Sequence, residues 1–267
     1  MKIKYLLLIF LLLSTSTYSQ LLFKTGWESG DILQNKFYRY SLAYTPYSNY
    51  PNGHSAKIDT TIFSTGKKSL KFELRDKDSS VSGGKRAELY VHSTDAIMKS
   101  VVWYSWSEYI PSNYLIDSRA ELHMQVSMVN TPTNPNVALW LLNDKWYLNI
   151  KFDSAGTGIK IEKRFLISLP TVDKGKWTKW ILYYKPSIKY DGRITLWKNG
   201  VKVFDRIGAN ANKINGALDI SKYFKFGIYK WPWNIKGTYI PSTRITYFDD
   251  VAFYGPLTTV SEIINTK

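Results

Sequence analysis

The sequence predicts an all-β domain of two packed antiparallel sheets. Helical periodicity is nearly absent after the N-terminal leader, and short alternating or aromatic-rich runs bounded by Gly, Pro, Asn and Asp recur along the chain. Asn199-Gly200 joins two such runs at the spacing of a tight hairpin, because both turn positions favour positive φ. Many short strands without helices bury their apolar faces most simply against one another in two layers.

Taken in order, Met1-Lys2-Ile3-Lys4 is basic, Tyr5 to Leu13 is apolar, and Ser14 to Ser19 is small and polar. This predicts a signal peptide over residues 1–19, with an apolar stretch too short to span a bilayer and Thr17 and Ser19 at the small-residue positions of a cleavage site. One domain, 20–267, follows. The segment Asn35 to Thr65, rich in Tyr, Ser, Asn and Pro, reads as loops over one face. Strands are then expected at Ser69 to Leu74, Arg86 to His92, Val101 to Tyr109, Glu121 to Met128, Val137 to Leu142 and Trp146 to Phe152. Further strands are expected at Trp177 to Tyr184, Arg193 to Lys198, Val201 to Phe204, Tyr223 to Tyr229 and Thr243 to Phe253.

Composition narrows the setting. Hydrophobic residues make up 44% of the 267, enough for a sizeable core, and the absence of cysteine means an exported chain must rely on that core without disulfides. Lys plus Arg number 36 against 21 Asp plus Glu, a net charge of +15, or +13 without the two leader lysines. A basic exterior attracts polyanions, and an exported protein meets acidic polysaccharides, lipid head groups or cell-wall polymers rather than nucleic acid. Ten Trp and twenty Tyr add flat rings that stack on the apolar faces of sugars. No later segment is long and apolar enough for a membrane span, and a monomer is expected.

Three strands each set a polar face against an apolar one. Side chains alternate along a strand, so Arg86, Glu88 and Tyr90 share a face opposite Ala87 and Leu89. By the same period His123 and Gln125 oppose Met124 and Val126, and Tyr223, Lys225, Gly227, Tyr229 and Trp231 oppose Phe224, Phe226 and Ile228. Such strands line a groove on the outer face of a sheet. Lys174, Lys176 and Lys179 interleaved with Trp177 and Trp180 form a second basic-aromatic run.

These residues carry a family resemblance. Tyr-Phe-Lys-Phe-Gly-Ile-Tyr at 223 to 229 resembles the Tyr-Phe-Lys-Ala-Gly-Val/Ile-Tyr strand of jelly-roll alginate lyases, and Arg86-x-Glu88 resembles their Arg-x-Glu-(Leu/Val)-Arg strand, with Tyr90 in place of the final Arg. His123-Met124-Gln125 mirrors their Gln-Ile-His in reverse order. The wider layout is similar to the heparin lyase I, glucuronan lyase and ulvan lyase group. It shares an opening Phe23-x-x-Gly26-x-Glu28-x-Gly30, a Gly-Lys-x-Ser-Leu-x-Phe-Glu run at 66 to 73, and a closing Tyr-Phe-Asp-Asp-Val at 247 to 251.

The resemblance implies a concanavalin A-like β-jelly roll and an endo-acting lyase that cleaves a uronate polymer by β-elimination. Such an enzyme must first neutralise the uronate carboxylate, a task suited to Arg86 and Gln125 with Lys225, Glu88, Tyr90 and Trp231 completing the substrate site. Tyr229 is the expected proton-transfer group, its phenol, ordinarily near about 10, being lowered by nearby cations. His123 and His54 are the partner histidines, and His92 falls on the Arg86 face. No cofactor is required, and Asp249-Asp250 either closes a strand or binds a structural calcium ion. Tyr90 turns the choice of polymer towards ulvan or glucuronan, with alginate and heparin-like chains as the other uronates. A non-catalytic lectin is the rival from another class. A retaining glycosidase would need paired carboxylates about 5 Å apart, and no Glu-x-Asp-x-x-Glu strand is present to supply them.

Overall fold

The computed structural model describes residues 20–32, 39–43, 53–80, 83–92, 102–128, 135–156, 163–218, 222–234 and 239–266. The leader predicted over 1–19 lies outside them, as do the side chains of Tyr90 and His92.

The strands in chain order are β1 (Leu21–Thr25), β2 (Arg39–Ala43), β3 (Ala56–Asp59), β4 (Ser69–Arg75), β5 (Lys85–His92), β6 (Trp103–Tyr109), β7 (Glu121–Met128), β8 (Val137–Leu142) and β9 (Lys145–Phe152). They continue as β10 (Lys163–Thr171), β11 (Trp177–Lys185), β12 (Arg193–Lys198), β13 (Val201–Ile207), β14 (Lys213–Ile214), β15 (Ala217–Leu218), β16 (Lys222–Lys230) and β17 (Thr243–Tyr254). A short helix, α1 (Val260–Asn265), follows β17 with a capping box in which Thr259 and Glu262 satisfy each other's backbone amides.

Two large antiparallel sheets result. The eight-stranded sheet runs β13-β12-β11-β6-β17-β4-β3, with β1 also on β17, and the seven-stranded sheet runs β10-β9-β8-β7-β16-β5-β2. This is the predicted sandwich, and every strand expected from the sequence is present within one to three residues at its ends. The Asn35 to Thr65 segment departs from its reading as loops, because β2 pairs with β5 and β3 pairs with β4. Those strands are edge pieces of four and five residues, too short for their alternation to stand out within a polar segment. The Asn199-Gly200 hairpin forms as expected, with φ of 49° and 79°.

The core lies between the sheets. Phe224, Phe226 and Ile228 of β16 meet Tyr104, Trp106, Phe248 and Phe253 of the facing sheet, all of them fully buried. Phe224 stacks on Tyr104 at 5.3 Å, and Phe72 meets Phe226 edge-on at 5.8 Å. Each such ring contributes about 1.5–3 kcal/mol by leaving water. The inward set of β16 fixes its outward set, and so positions the site.

Candidate active site

Strand β16 runs between β5 and β7. Tyr229 lies opposite Arg86, Gly227 opposite Glu88 and Lys225 opposite Tyr90, while on the other side Lys225 lies opposite Gln125. The expected face therefore assembles from three adjacent strands. Glu88 sits at its centre, accepting from Arg86 Nη1 at 3.1 Å and from Gln125 Nε2 at 2.6 Å. The Arg86 guanidinium lies over the Tyr229 ring, 3.5 Å from its centroid. Arg86, Glu88, Gln125 and Lys225 are nearly buried although their strands send other residues to the core. Arg86, Glu88 and Gln125 meet the rule that buried polar groups are paired by bonding to one another on the outer face of the sheet.

Two glycines make the cluster fit. A Cβ at Gly227 would fall on the carbonyl oxygen of Ala87 and 2.9 Å from the Glu88 Cα, at a φ of 125° that side chains rarely adopt. A Cβ at Gly84 would enter the Tyr229 ring, whose hydroxyl donates to the Gly83 carbonyl at 3.3 Å. The Tyr229 ring thus lies against the Gly83-Gly84 backbone and the Arg86 guanidinium.

The electrostatics differ from the sequence expectation at Tyr229. Burial pushes its phenol above the ordinary value, Arg86 pulls it back and Glu88 adds to the rise, so the cations do not win. Burial also pulls the Lys225 ammonium down, with Glu88 opposing and Arg86 adding to the effect. In the free protein the Tyr229 phenol is held in its protonated form.

His123 does not join this face. The pairing of β7 with β8 shifts between Leu122 and Met124, and that of β16 with β7 shifts between Phe226 and Tyr229, around Gly227. A bulge breaks strict alternation. His123 consequently turns between the sheets, where Nδ1 lies 2.5 Å from Glu108 of β6 and the ring meets Trp146 edge-on at 5.2 Å. Its Nε2 is 3.4 Å from Glu121, which Arg244 clamps at 2.6 Å and Lys230 approaches at 3.1 Å. Burial opposes a charged imidazole, but Glu108 and Glu121 outweigh it and raise the pKa to about 9. His123 is one cation of a buried ion network, with Arg244 and Lys230, and it faces β6 rather than the groove of Gln125.

His54 precedes β3, and both oxygens of Asp78 hold its Nε2 at 2.9 and 3.1 Å. Asp78 belongs to the β4–β5 connection that leads into Gly84 and Arg86. Trp231 opens a short 3-10 helix after β16, with its ring 5.8 Å from Tyr229 and 5.1 Å from Trp140 of β8. Trp140 in turn lies under Arg164 of β10 at 5.3 Å, and Arg164 donates to Asn149 of β9 at 3.1 Å. Sequence reasoning missed Trp140, Asn149 and Arg164. Their signal was the outward parity of β8, β9 and β10, where Leu139, Leu141, Leu148, Ile150, Phe165 and Ile167 point inward.

Asp249 and Asp250 tie a loop to β17. Asp249 accepts from the amides of Ser64 and Thr65 at 2.8 and 3.2 Å, and Asp250 accepts from the Thr65 hydroxyl at 2.6 Å. Burial and then the neighbouring Asp250 raise Asp249 to about 7. No cluster of three or more metal-ligating side chains occurs among the described residues. These carboxylates close no strand: they lie within β17, at a break in its register with β6, and fix the 64–65 loop to it.

A profile of polysaccharide lyases matches residues 24–252, which includes every residue of the cluster. The chain belongs to the polysaccharide lyase family. Its sandwich is similar to the endo-β-1,4-glucuronan lyase of the fungus Trichoderma reesei, at 16% identity and a TM-score of 0.69 over 92% of this chain and 100% of that one. Cellulose induced protein Cip1 aligns at 14% identity and 0.52 over 86% and 96%, and the botulinum neurotoxin serotype D binding domain at 11% and 0.55 over 92% of this chain and 50% of that one. At these identities the likeness is one of fold. No curated protein sequence matches this lyase. The jelly roll and the lyase activity expected from the motifs are both upheld, and the lectin reading gives way to an enzyme.

Proposed function

We propose that this lyase is a secreted, endo-acting enzyme that cleaves a glucuronate- or iduronate-containing polymer, of the glucuronan or ulvan kind, by β-elimination. The observation that carries the reading is the continuous Gln125–Glu88–Arg86–Tyr229 chain on one sheet face. A uronate C5 proton becomes removable only when the adjacent carboxylate is neutralised. Arg86 and Lys225 supply the charge, and Gln125, which gives one amide proton to Glu88, has a second to offer. Glu88 holds both donors in place.

In the reaction a base takes the C5 proton, the C4–C5 double bond forms, the C4–O4 bond breaks, and an acid protonates the departing O4. Tyr229 is assigned the acid, since burial keeps its phenol protonated. His54 is assigned the base, with Asp78 on Nε2 leaving Nδ1 to accept. Trp231, Trp140 and Arg164 extend the same face and would hold further sugar units by stacking and charge. Tyr90 in place of a second arginine argues against alginate, and the basic surface, +13 for the chain without its leader, favours a densely anionic polymer. The endo-β-1,4-glucuronan lyase of similar fold agrees with that choice.

The test is incubation with glucuronan, ulvan, alginate and heparin while following the ultraviolet absorbance of the unsaturated uronate end. Rapid shortening of glucuronan or ulvan with rising absorbance is expected. Activity confined to alginate would overturn the substrate assignment, and release of saturated ends would overturn the elimination.

A further inference from the structure

The eight-stranded sheet carries a feature that the active site does not use. Trp177 of β11 lies in register with Tyr109 of β6, and Tyr109 with Tyr247 of β17. Their ring centroids are 5.6 and 5.8 Å apart. The row continues into Lys71 of β4, opposite Tyr247, and Lys57 of β3, opposite Lys71. All five point away from the core, because the alternating neighbours Trp106, Trp180, Phe248 and Phe72 point into it. At a strand spacing of about 4.8 Å, the rings span about 10 Å and the whole row about 19 Å.

Two depressions flank the rings. One, of about 600 Å³, is lined by Trp177, Lys24 and Lys179 with Asp250 as its acid, and the other, of about 540 Å³, by Tyr109, Tyr247 and Pro241. Trp177 and Tyr109 are partly exposed and Lys57 is exposed, whereas Tyr247 is only 8% exposed. Of the acids on this face, Glu73 of β4 is engaged by Lys71 at 2.9 Å and by Arg75, and Asp59 of β3 accepts from the amides of Thr61 and Ile62. Cross-strand aromatic pairs alone stabilise a sheet. A row that borders two depressions and ends in cations offers more, since rings stack on pyranose faces and lysines meet carboxylates.

We propose that this outer face is a second, non-catalytic binding surface for the uronate polymer, on the sheet opposite the active site. The inference rests on the function proposed above. A chain long enough to touch both faces would be held by two linked contacts, which raises its effective concentration at the catalytic face without any change in the chemistry.

The experiment places Trp177→Ala and, separately, Lys57→Glu in a Tyr229→Phe protein and measures binding to long polyglucuronate, with a neutral glucan as control. The same two replacements in the active enzyme are assayed on short oligoglucuronates and on the polymer. Trp177→Ala should weaken polymer binding about tenfold, the equivalent of one lost ring contact, and Lys57→Glu about threefold. The Trp177 loss should persist at high salt, since stacking is not screened as charge is. Turnover of short oligomers should stay unchanged. Unaltered polymer affinity in both variants overturns the second surface while leaving the lyase reading intact, and Lys57→Glu decides the matter if Trp177→Ala does not fold. Conversion of a dimer to a monomer by Trp177→Ala would make this face a self-association interface and overturn the proposal. If no version binds or cleaves a uronate polymer, both readings fall together.

Discussion

Replacing His123 by Gln separates a structural cation from a catalytic base. In the folded chain His123 is fully buried, with Glu108 at 2.5 Å and Glu121 at 3.4 Å, and its pKa is raised to about 9. Against an unfolded value of about 6.5, that shift stabilises the fold by about 2–3 kcal/mol at pH 7. The contribution is fully present below about pH 6.5 and is lost as pH rises through about 9, because the folded state holds the proton more tightly. Gln cannot carry the charge, so Glu108 is left buried without its cation, and breaking such a pair costs about 3–5 kcal/mol. The wild-type protein should therefore lose stability between about pH 6.5 and 9 in urea titrations followed by tryptophan fluorescence. The variant should begin about 3 kcal/mol lower and lack that slope. Turnover of its folded fraction at 25 °C should stay within about threefold of wild type, since nothing on the catalytic face is removed. A His123→Gln protein of full stability that lost elimination a hundredfold would refute the reasoning.

Two further outcomes follow from the same geometry. Gly227→Ala should cost at least about 1–3 kcal/mol, because the added carbon meets the Ala87 carbonyl at a φ of 125°, and should lower activity by displacing Glu88; urea titration and the elimination assay check both. The alkaline limb of kcat should lie above the range of a free phenol, because Tyr229 acts protonated and burial raises its pKa, and a limb near neutrality would assign the acid elsewhere.

The fold was legible because most strands alternate cleanly. The outward set Tyr223, Lys225, Gly227 and Tyr229 could be read directly from the inward set Phe224, Phe226 and Ile228, and Arg86 with Glu88 from Ala87 with Leu89. His123 was not legible from period alone, since a strict two-residue repeat assumes an unbroken ladder. The warning lay in the partner strand, where Gly227 interrupts a run of large residues, and glycine within a strand often marks a bulge. The Tyr229 phenol was misread because cations were counted and burial was not. Trp140, Asn149 and Arg164 required the β7-β8-β9-β10 register, which only the folded sheet supplies. The role of Gly84 was likewise hidden, since it depends on where the Tyr229 ring comes to rest.

The central claim is that the Arg86–Glu88–Gln125–Tyr229 face performs the elimination, and Tyr229→Phe tests it most directly. The ring and its contact with Arg86 are retained and only the hydroxyl, held by Gly83, is deleted, so folding stability should hardly change. In steady-state elimination of glucuronan or ulvan, kcat should fall by about 10²–10⁴, the usual yield of one acid or base, while polymer affinity stays within a few-fold. Arg86→Ala should instead raise Kd and lower kcat together, because the guanidinium meets the carboxylate both before and during proton removal. A Tyr229→Phe enzyme that kept substantial turnover would contradict the account and move the proton transfer to another group.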